Sequence, residues 1–257
     1  MPSSDTNETR VNEEPLVGFL NAGSVVRIGA TVRRPRNPGS DVVEALLVHL
    51  DDVGFSAAPR FLGVDGQGRQ ILEYVGGQVY RQPPWQSDDA ENAVRLGELA
   101  ALLARLHEAT ASFRPPDGAE PQRPLPVPGA TWTHGDPGYP NVVYRGTDVA
   151  ALIDWEFAGP GDPLCDPAAL VALYVRGPRP DAHDLPRREA ATAAAFAAVV
   201  RGYGMSSEQV AGLPAAAALV LDDTAEFLGS RAEPGVVPNL RWRATWFRDH
   251  ADHLLAG

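Results

Sequence analysis

Along the first third of the chain, apolar residues come in short, β-branched runs broken by glycine, asparagine and serine. Leu16-Val17-Gly18-Phe19-Leu20 is followed by Asn21-Ala22-Gly23-Ser24, and Val25-Val26-Arg27-Ile28 is followed by Gly29-Ala30 and then Thr31-Val32-Arg33-Arg34. Runs of that length closed by turn residues predict strand, glycine turn, strand, tight hairpin, strand. From Ser40 the period changes: Val42, Val43, Leu46, Leu47 and Leu50 recur at helical spacing until Gly54. Phe61-Leu62-Gly63-Val64 and Gln70-Ile71-Leu72-Glu73-Tyr74-Val75 flank the turn Asp65-Gly66-Gln67-Gly68, which predicts a second hairpin running into Gly76-Gly77.

Beyond that point the helical period dominates. Asp88 and Glu91 have the spacing of a capping box, and Leu96, Leu99, Leu102, Leu103 and Leu106 carry one broad apolar face to about Thr110. Residues 114–130 hold six prolines and read as an exposed connection. Val142-Val143-Tyr144 and Ala151-Leu152-Ile153, on either side of Arg145-Gly146-Thr147-Asp148, predict one more hairpin. Asp166-Pro167 reads as an N-cap and first-turn pair opening a helix over 168–174. Helical stretches follow at about 186–203, 206–230 and 238–255, with Pro214 dividing the middle one or marking a helix start. Strands first and helices afterwards make an α+β chain: a polar, disordered tail over 1–15, a small antiparallel lobe over 16–77, and a mainly helical lobe over 78–257.

Composition narrows the function classes. The 257 residues suffice for a sizeable core, and the formal charge is −11, with 33 acids against 22 bases, every one of them arginine. That balance argues against nonspecific nucleic-acid binding and fits a cationic small substrate as readily as plain solubility. A single cysteine, Cys165, excludes an intramolecular disulfide and a cysteine-built zinc site. No apolar run reaches the ~18–20 residues of a membrane span. The first fifteen residues lack the apolar core of a secretory signal, so a cytoplasmic protein is expected.

The chemistry gathers in His134-Gly135-Asp136-Pro137-Gly138-Tyr139-Pro140-Asn141 and in Ile153-Asp154-Trp155-Glu156. One hairpin brings three oxygen-bearing side chains, Asp136, Asn141 and Asp154, to a common end. Phosphoryl transfer uses such a set: one carboxylate orients the attacking hydroxyl while an amide and a second carboxylate hold Mg²⁺. Asp and Asn beside Gly and Pro are also the residues of ordinary turns. The spacing of all three against two strands favours the chemical reading.

With His134 to Asn141, Ile153-Asp154-Trp155 and Gly161-Asp162-Pro163-Leu164-Cys165-Asp166 in place, the chain resembles the aminoglycoside phosphotransferase family, which shares the protein-kinase-like two-lobed fold. The resemblance implies an ATP (or GTP) and Mg²⁺-dependent enzyme acting on a small-molecule hydroxyl acceptor. It assigns Asp136 to the hydroxyl, Asn141 and Asp154 to the metal, and His134 and Asp166 to bracing the loops. Gly23 and Ser24 occupy the turn that covers the phosphates. The family's phosphate-binding lysine has no counterpart; alignment on Pro35 puts Arg33 in its place, with Arg34 one residue away. Glu44 is the helix acid nearest the position that pairs with that base, one residue off in register. Glu73 to Val75 would meet the adenine edge through the backbone. Asp222, Asp223 and Glu226, in a stretch from 202 to 230 without a base, are the acceptor-binding candidates; a solvated acidic face is the commoner explanation of such a run. His107 is read as structural, and Trp242, Trp246 and Phe247 as a core stripe. Two alternatives stand beside this reading: a kinase of peptide Ser or Thr in natural-product biosynthesis, and a nucleotide-binding or ligand-binding pseudokinase.

Overall fold

The computed structural model describes residues 13–16, 24–80, 90–174 and 185–255. Five strands form the N-terminal sheet: β1 (Glu14–Pro15), β2 (Val26–Ile28), β3 (Thr31–Pro35), β4 (Phe61–Val64) and β5 (Arg69–Glu73), in the spatial order β1-β2-β3-β5-β4, with every neighbouring pair antiparallel. Sheet structure begins inside the stretch that composition assigns to a disordered tail: Glu14 and Pro15 face Arg27 and Val26, and the Glu13 carboxylate lies 3.1 Å from Arg69 Nη2. The predicted strand over 16–20 and the glycine turn at Gly23 fall largely outside the described residues. Helix α1 (Ser40–Asp52) buries Val42, Val43, Leu46, Leu47 and Leu50, the residues that carry its period. Fully burying each such side chain is worth roughly 1.5–3 kcal/mol, so this stripe fixes the helix against the rest of the core.

The remainder is mainly helical. Helix α2 (Ala90–Thr110) buries Leu96, Leu99, Leu102, Leu103 and Leu106 and packs on α4 (Leu185–Tyr203). The Asp88 end of the expected capping box lies outside the described residues. Two small antiparallel ladders flank the motif residues: β6 (Thr131–Thr133) with β9 (Gly159–Gly161), and β7 (Val142–Arg145) with β8 (Asp148–Leu152). Helix α3 (Cys165–Tyr174) starts one residue before Asp166, behind a turn made by Asp162: its Oδ1 accepts the Leu164 N–H at 2.8 Å and its carbonyl accepts the Cys165 N–H at 3.0 Å. Asp166 is thereby freed from the N-cap role the sequence suggests.

Helix α5 (Ser207–Leu228) opens with a reciprocal capping box between Ser206 and Gln209 and continues unbroken through Pro214. The sequence predicts an interruption there. Pro214 is instead buried with Leu213, Ala216, Ala217 and Ala218 against neighbouring helices, and that packing outweighs the one missing N–H. Helices α6 (Val236–Asp249) and α7 (Ala251–Leu255) complete the chain, with Trp246 and Phe247 buried as the core-stripe reading expects and Trp242 on the surface. Among the described residues no helix is long and apolar enough to cross a membrane.

Two segments join the halves. At the hinge, Gln78 exchanges both backbone hydrogen bonds with Tyr144 at 2.8 Å, and Gly77 lies so close that a Cβ would sit 2.6 Å from the Tyr144 carbonyl oxygen. The proline-rich stretch is not a free connection. Gln122 Oε1 accepts from Asn37 Nδ2 at 2.6 Å, just ahead of α1, and Val127 O accepts from Asp162 N at 3.0 Å, just after β9. Phe113 and Leu125 are buried. The stretch therefore forms a wall that touches both halves beside the loops of interest.

Candidate active site

Strand β6 delivers His134-Gly135-Asp136, and a short 3-10 turn (Tyr139–Asn141) leads into β7. Gly135 has φ +79°, and a Cβ there would lie 2.2 Å from the Phe157 carbonyl oxygen, so only glycine fits. The loop is pinned from below by Asp166. Its Oδ2 accepts the His134 N–H at 2.8 Å and its Oδ1 accepts the Gly135 N–H at 2.9 Å. His107 Nε2 lies 3.0 Å from the same Oδ2, and His107 Nδ1 lies 2.7 Å from the Tyr203 hydroxyl. Burial alone would push the Asp166 carboxyl up. The His107 hydrogen bond and the charge partners His107 and His134 hold it below the ordinary carboxylate value. The structural reading of His107 thus has a specific content: it is the third donor to a fully buried carboxylate.

His134 is itself fully buried, and burial lowers its pKa. Its Nδ1 accepts the Asp136 N–H at 3.3 Å while Nε2 lies 3.1 Å from the Ile153 carbonyl. A neutral ring with the proton on Nε2 satisfies both contacts, tying the catalytic loop to the end of β8. Asn141 O accepts the Ile153 N–H at 2.8 Å, a second tie between the same two loops.

Asp136 stands at the centre. Asn141 Nδ2 donates to its Oδ2 and to its carbonyl oxygen, each at 2.9 Å. Burial, with the charge of Asp154 added, pushes the Asp136 carboxyl up to about 6. Asp154 adopts a left-handed conformation, φ 65° and ψ 62°, and no other non-glycine residue among those described has positive φ. Holding a non-glycine residue there costs on the order of 1–3 kcal/mol, a strain that concentrates at functional sites. Its side chain is 39% exposed and takes one hydrogen bond, from Arg34 Nη1 to Oδ1.

The donor set suits a hard divalent cation. Asn141 spends its amide N–H groups on Asp136, which turns its oxygen free of them, and Asp154 offers Oδ2. No cluster of three or more His, Cys, Asp or Glu forms an all-protein cage among the described residues. Asn141 and Asp154 are the residues that would hold such an ion, one amide oxygen and one carboxylate.

On the N-terminal sheet the two neighbouring arginines part company, as side chains of adjacent strand residues must. Arg34 is the one that turns toward the loops: Nη1 donates to Asp154 and Nη2 to Glu156 Oε2. Arg33 turns the other way, with Nη1 on Thr31 Oγ1 at 2.7 Å and Nε 3.6 Å from Asp65. The alignment on Pro35 is therefore corrected by one residue. Burial would lower the Arg34 pKa, but the charges of Asp154 and Glu156 raise it, so the guanidinium stays charged. Glu44 pairs with neither: its carboxylate takes Arg36 Nε at 2.8 Å and Gln70 Nε2 at 3.0 Å. The offset in register leaves Val43 and Leu47 on the α1 side of the cleft beside Arg34, and Glu156 supplies the acid instead.

At the hinge, the Glu73 and Tyr74 N–H groups are spent on the Arg60 and Ala30 carbonyls, each at 2.9 Å, and the Glu73 side chain lies 3.0 Å from Arg60. Val75 makes no backbone hydrogen bond among the described residues and keeps its donor and acceptor. Ser24 stands in a turn before β2, while Gly23 lies outside the described residues.

The three acidic acceptor candidates separate on helix α5. Asp222 pairs with Arg248 on α6, and Glu226 is exposed. Asp223 turns toward the proline-rich stretch, where its Oδ2 lies 3.0 Å from Arg123 Nη1. Arg123, from the proline-rich wall, lies over the rings of Phe157 and Phe227 at 5.0 and 4.6 Å, and its charge draws the Asp136 pKa down. Sequence reading passed over Arg123 and Glu156. Glu156, two residues past Asp154, carried a positional hint; Arg123, alone among prolines, carried none.

Residues 30–130 and 122–219 match the model of the phosphotransferase enzyme family. A curated relative, the trifolitoxin immunity protein of Rhizobium leguminosarum bv. trifolii, is 35% identical over 156 residues. That match spans 58% of this chain and 58% of the relative's own length. Among solved structures, a choline/ethanolamine kinase family protein from Mesorhizobium loti superimposes with a TM-score of 0.58 at 17% identity, covering 98% of this chain and 95% of that one. An amicoumacin kinase in complex with AMP-PNP, Ca²⁺ and Ami gives 0.60 at 10% identity over 94% and 88%. A choline kinase from Cryptosporidium parvum gives 0.60 at 11% identity over 98% and 92%. The fold is the two-lobed, protein-kinase-like one.

Proposed function

The chain belongs to the phosphotransferase enzyme family, and from that premise we propose that it transfers the γ-phosphoryl group of ATP or GTP, with Mg²⁺, to a hydroxyl of a small natural product. The observation that carries this reading is the grouping at Asp136: a buried carboxylate held by Asn141, beside an Asp154 that is itself held by Arg34. In this reading Asp136 accepts the hydrogen bond of the acceptor hydroxyl and takes its proton as the oxygen forms a bond to the γ-phosphorus. The bond from that phosphorus to the β-phosphate oxygen breaks, and the diphosphate leaves. Bound Mg²⁺, on Asn141 and Asp154, supplies neutralising charge to the phosphate oxygens.

Arg34 takes the role of the family's lysine. Its fork suits two phosphate oxygens, and Glu156 orients it. Val75, with its free backbone donor and acceptor, meets the adenine or guanine edge. A natural-product acceptor is supported by the trifolitoxin immunity protein, whose name points to protection against a toxin, and by the amicoumacin kinase, named for the small molecule it acts on. A cytoplasmic site of action goes with the use of a nucleoside triphosphate.

The absence of lysine from the whole chain favours one other reading, binding without transfer. Thermal shift with ATP and GTP, each with and without Mg²⁺, followed by a nucleoside-diphosphate release assay over a panel of hydroxylated natural products, separates the two. Release stimulated by an acceptor supports transfer; Mg²⁺-independent nucleotide binding with no release on any acceptor would count against it.

A further inference from the structure

The acceptor side of Asp136 has a charge arrangement that neither composition nor the acidic face of helix α5 suggests. Of the three acids expected to meet a cation, Asp222 is neutralised by Arg248, Glu226 is exposed, and Asp223 faces a guanidinium. That guanidinium, Arg123, lies beside two aromatic rings that also contact each other, Phe157 and Phe227, with centroids 5.3 Å apart. Phe157 belongs to the turn whose carbonyl touches Gly135, the neighbour of Asp136. A second guanidinium, Arg231, lies 4.6 Å from the centroid of the Phe227 ring.

The Arg123–Asp223 contact is close but incomplete. Nη1 and Oδ2 are 3.0 Å apart, yet Oδ2 is buried without a hydrogen bond, and so is Arg123 Nε. A buried donor of a charged group left unpaired is costly, so a group that paired with it would be favoured. The Nε edge of a guanidinium is one side of a planar fork that matches a carboxylate with two parallel hydrogen bonds. Stacking on two rings fixes that fork in orientation, so little side-chain freedom is lost when the partner binds.

We propose that Arg123 determines acceptor specificity by taking a carboxylate carried by the hydroxylated acceptor, so that the substrate is a hydroxy acid rather than a polycation. The proposal rests on the phosphotransferase reading above. In it the acceptor carboxylate sits on the Nε side of Arg123, Asp223 holds the opposite Nη1 side, and the hydroxyl reaches Asp136. Asp223 is then a neighbour that orients Arg123 while repelling the ligand, the reverse of the role expected of an acceptor-binding acid.

Calorimetry on the full chain, with and without Mg²⁺–AMP-PNP, tests this with matched probes: gluconate against glucose, N-acetylserine against N-acetylserinamide, and kanamycin as a polycation. The acids are expected to bind about tenfold or more tighter than their neutral partners, the effect of a hydrogen-bonded charge pair. Arg123→Ala should abolish that preference and Arg123→Lys should keep only part of it. Asp223→Asn gives the decisive sign: removing a repelling carboxylate tightens the acids several-fold, whereas for a cationic acceptor it loosens binding. Equal binding of acid and neutral partners, failure of both acids to bind in the millimolar range, kanamycin binding that weakens in Asp223→Asn, or an unchanged acid preference in Arg123→Ala would each overturn the proposal. Failure of Mg²⁺–AMP-PNP itself to bind would instead strike at the phosphotransferase reading, and is seen before any probe is added.

Discussion

The buried carboxylate of Asp166 holds the main chain of His134, 32 residues earlier, through a 2.8 Å hydrogen bond from the His134 N–H. With the Gly135 N–H and His107 Nε2 on the same carboxylate, one side chain of α3 sets the height at which Asp136 is presented. Removing it orphans two buried backbone donors and a histidine. Asp166→Ala is therefore expected to cost about 3 kcal/mol or more, at 1–3 kcal/mol for each unsatisfied group, and to lower transfer with it. Its pKa is depressed, so this stability is present above the ordinary carboxylate pKa and is lost as pH falls through the still lower folded value. Urea midpoints at pH 7 and in the acid range check both statements. A midpoint within error of wild type at pH 7 would show that the loop does not hang from this carboxylate.

Arg34 and Arg33 make a controlled pair, since they share a strand and differ in face. Arg34→Ala removes the cation on Asp154 and Glu156, and binding of Mg²⁺–ATP is expected to weaken by about tenfold or more, the scale of a charge-assisted contact. Arg33→Ala, which frees only Thr31 and Asp65, should change affinity by less than about twofold, as befits a contact in the range of a surface ion pair. Comparable losses in both by calorimetry would mean that the strand acts through the sheet and not through Arg34.

How far the sequence carried the reading depends on whether a signal is periodic. The helical stripe Leu96, Leu99, Leu102, Leu103, Leu106 and the continuous apolar runs Val142-Val143-Tyr144 and Ala151-Leu152 report burial directly, so the elements and their order were legible. Motif spacing brought out Asp136, Asn141 and Asp154, whose loops hydrogen-bond to one another. Facing was not legible at the strand end. A one-residue choice between Arg33 and Arg34 reverses the side chain, and Pro35 alone gave no register. Arg123 was invisible for a different reason: its place depends on how a proline-rich wall packs on β9 and α1, a tertiary contact without local pattern. The Pro214 expectation failed likewise, because helix propensity is a local quantity and the packing that overrides it is not.

Asp154 offers a metal-specific outcome. Asp154→Ala removes one of two proposed oxygen ligands and leaves Arg34 with Glu156 alone. Nucleotide affinity should then lose its dependence on Mg²⁺, while affinity in the presence of chelator stays near the wild-type value or improves, because a carboxylate that would repel the phosphates has gone. Titrations of ATP with and without Mg²⁺ decide the point. Persistence of the full Mg²⁺ effect in the variant would place the metal elsewhere.

Asp136→Asn separates function from stability, with opposite signs for the two. The carboxyl has a folded pKa of about 6, above the roughly 3.9 of an unfolded aspartate. Between those values the folded protein binds more protons than the unfolded one, so stability falls as pH rises through the window from about 4 to 6 and stays at the lower level above it. Two pKa units correspond to about 3 kcal/mol, a figure on the order of which Asn, uncharged and still able to accept from Asn141 Nδ2, should recover. The variant is thus expected to unfold at higher urea than wild type at pH 8 and at the same urea near pH 4. Transfer moves the other way. Without a group that takes the hydroxyl proton, single-turnover phosphoryl transfer should fall by roughly a hundredfold or more, the scale of a lost general base. Wild-type kcat/KM should itself decline as pH drops below about 6, where Asp136 becomes protonated. A variant that is no more stable at pH 8 would mean that the carboxylate is not under electrostatic load in the free enzyme. A variant that transfers at the wild-type rate would rule Asp136 out as the base.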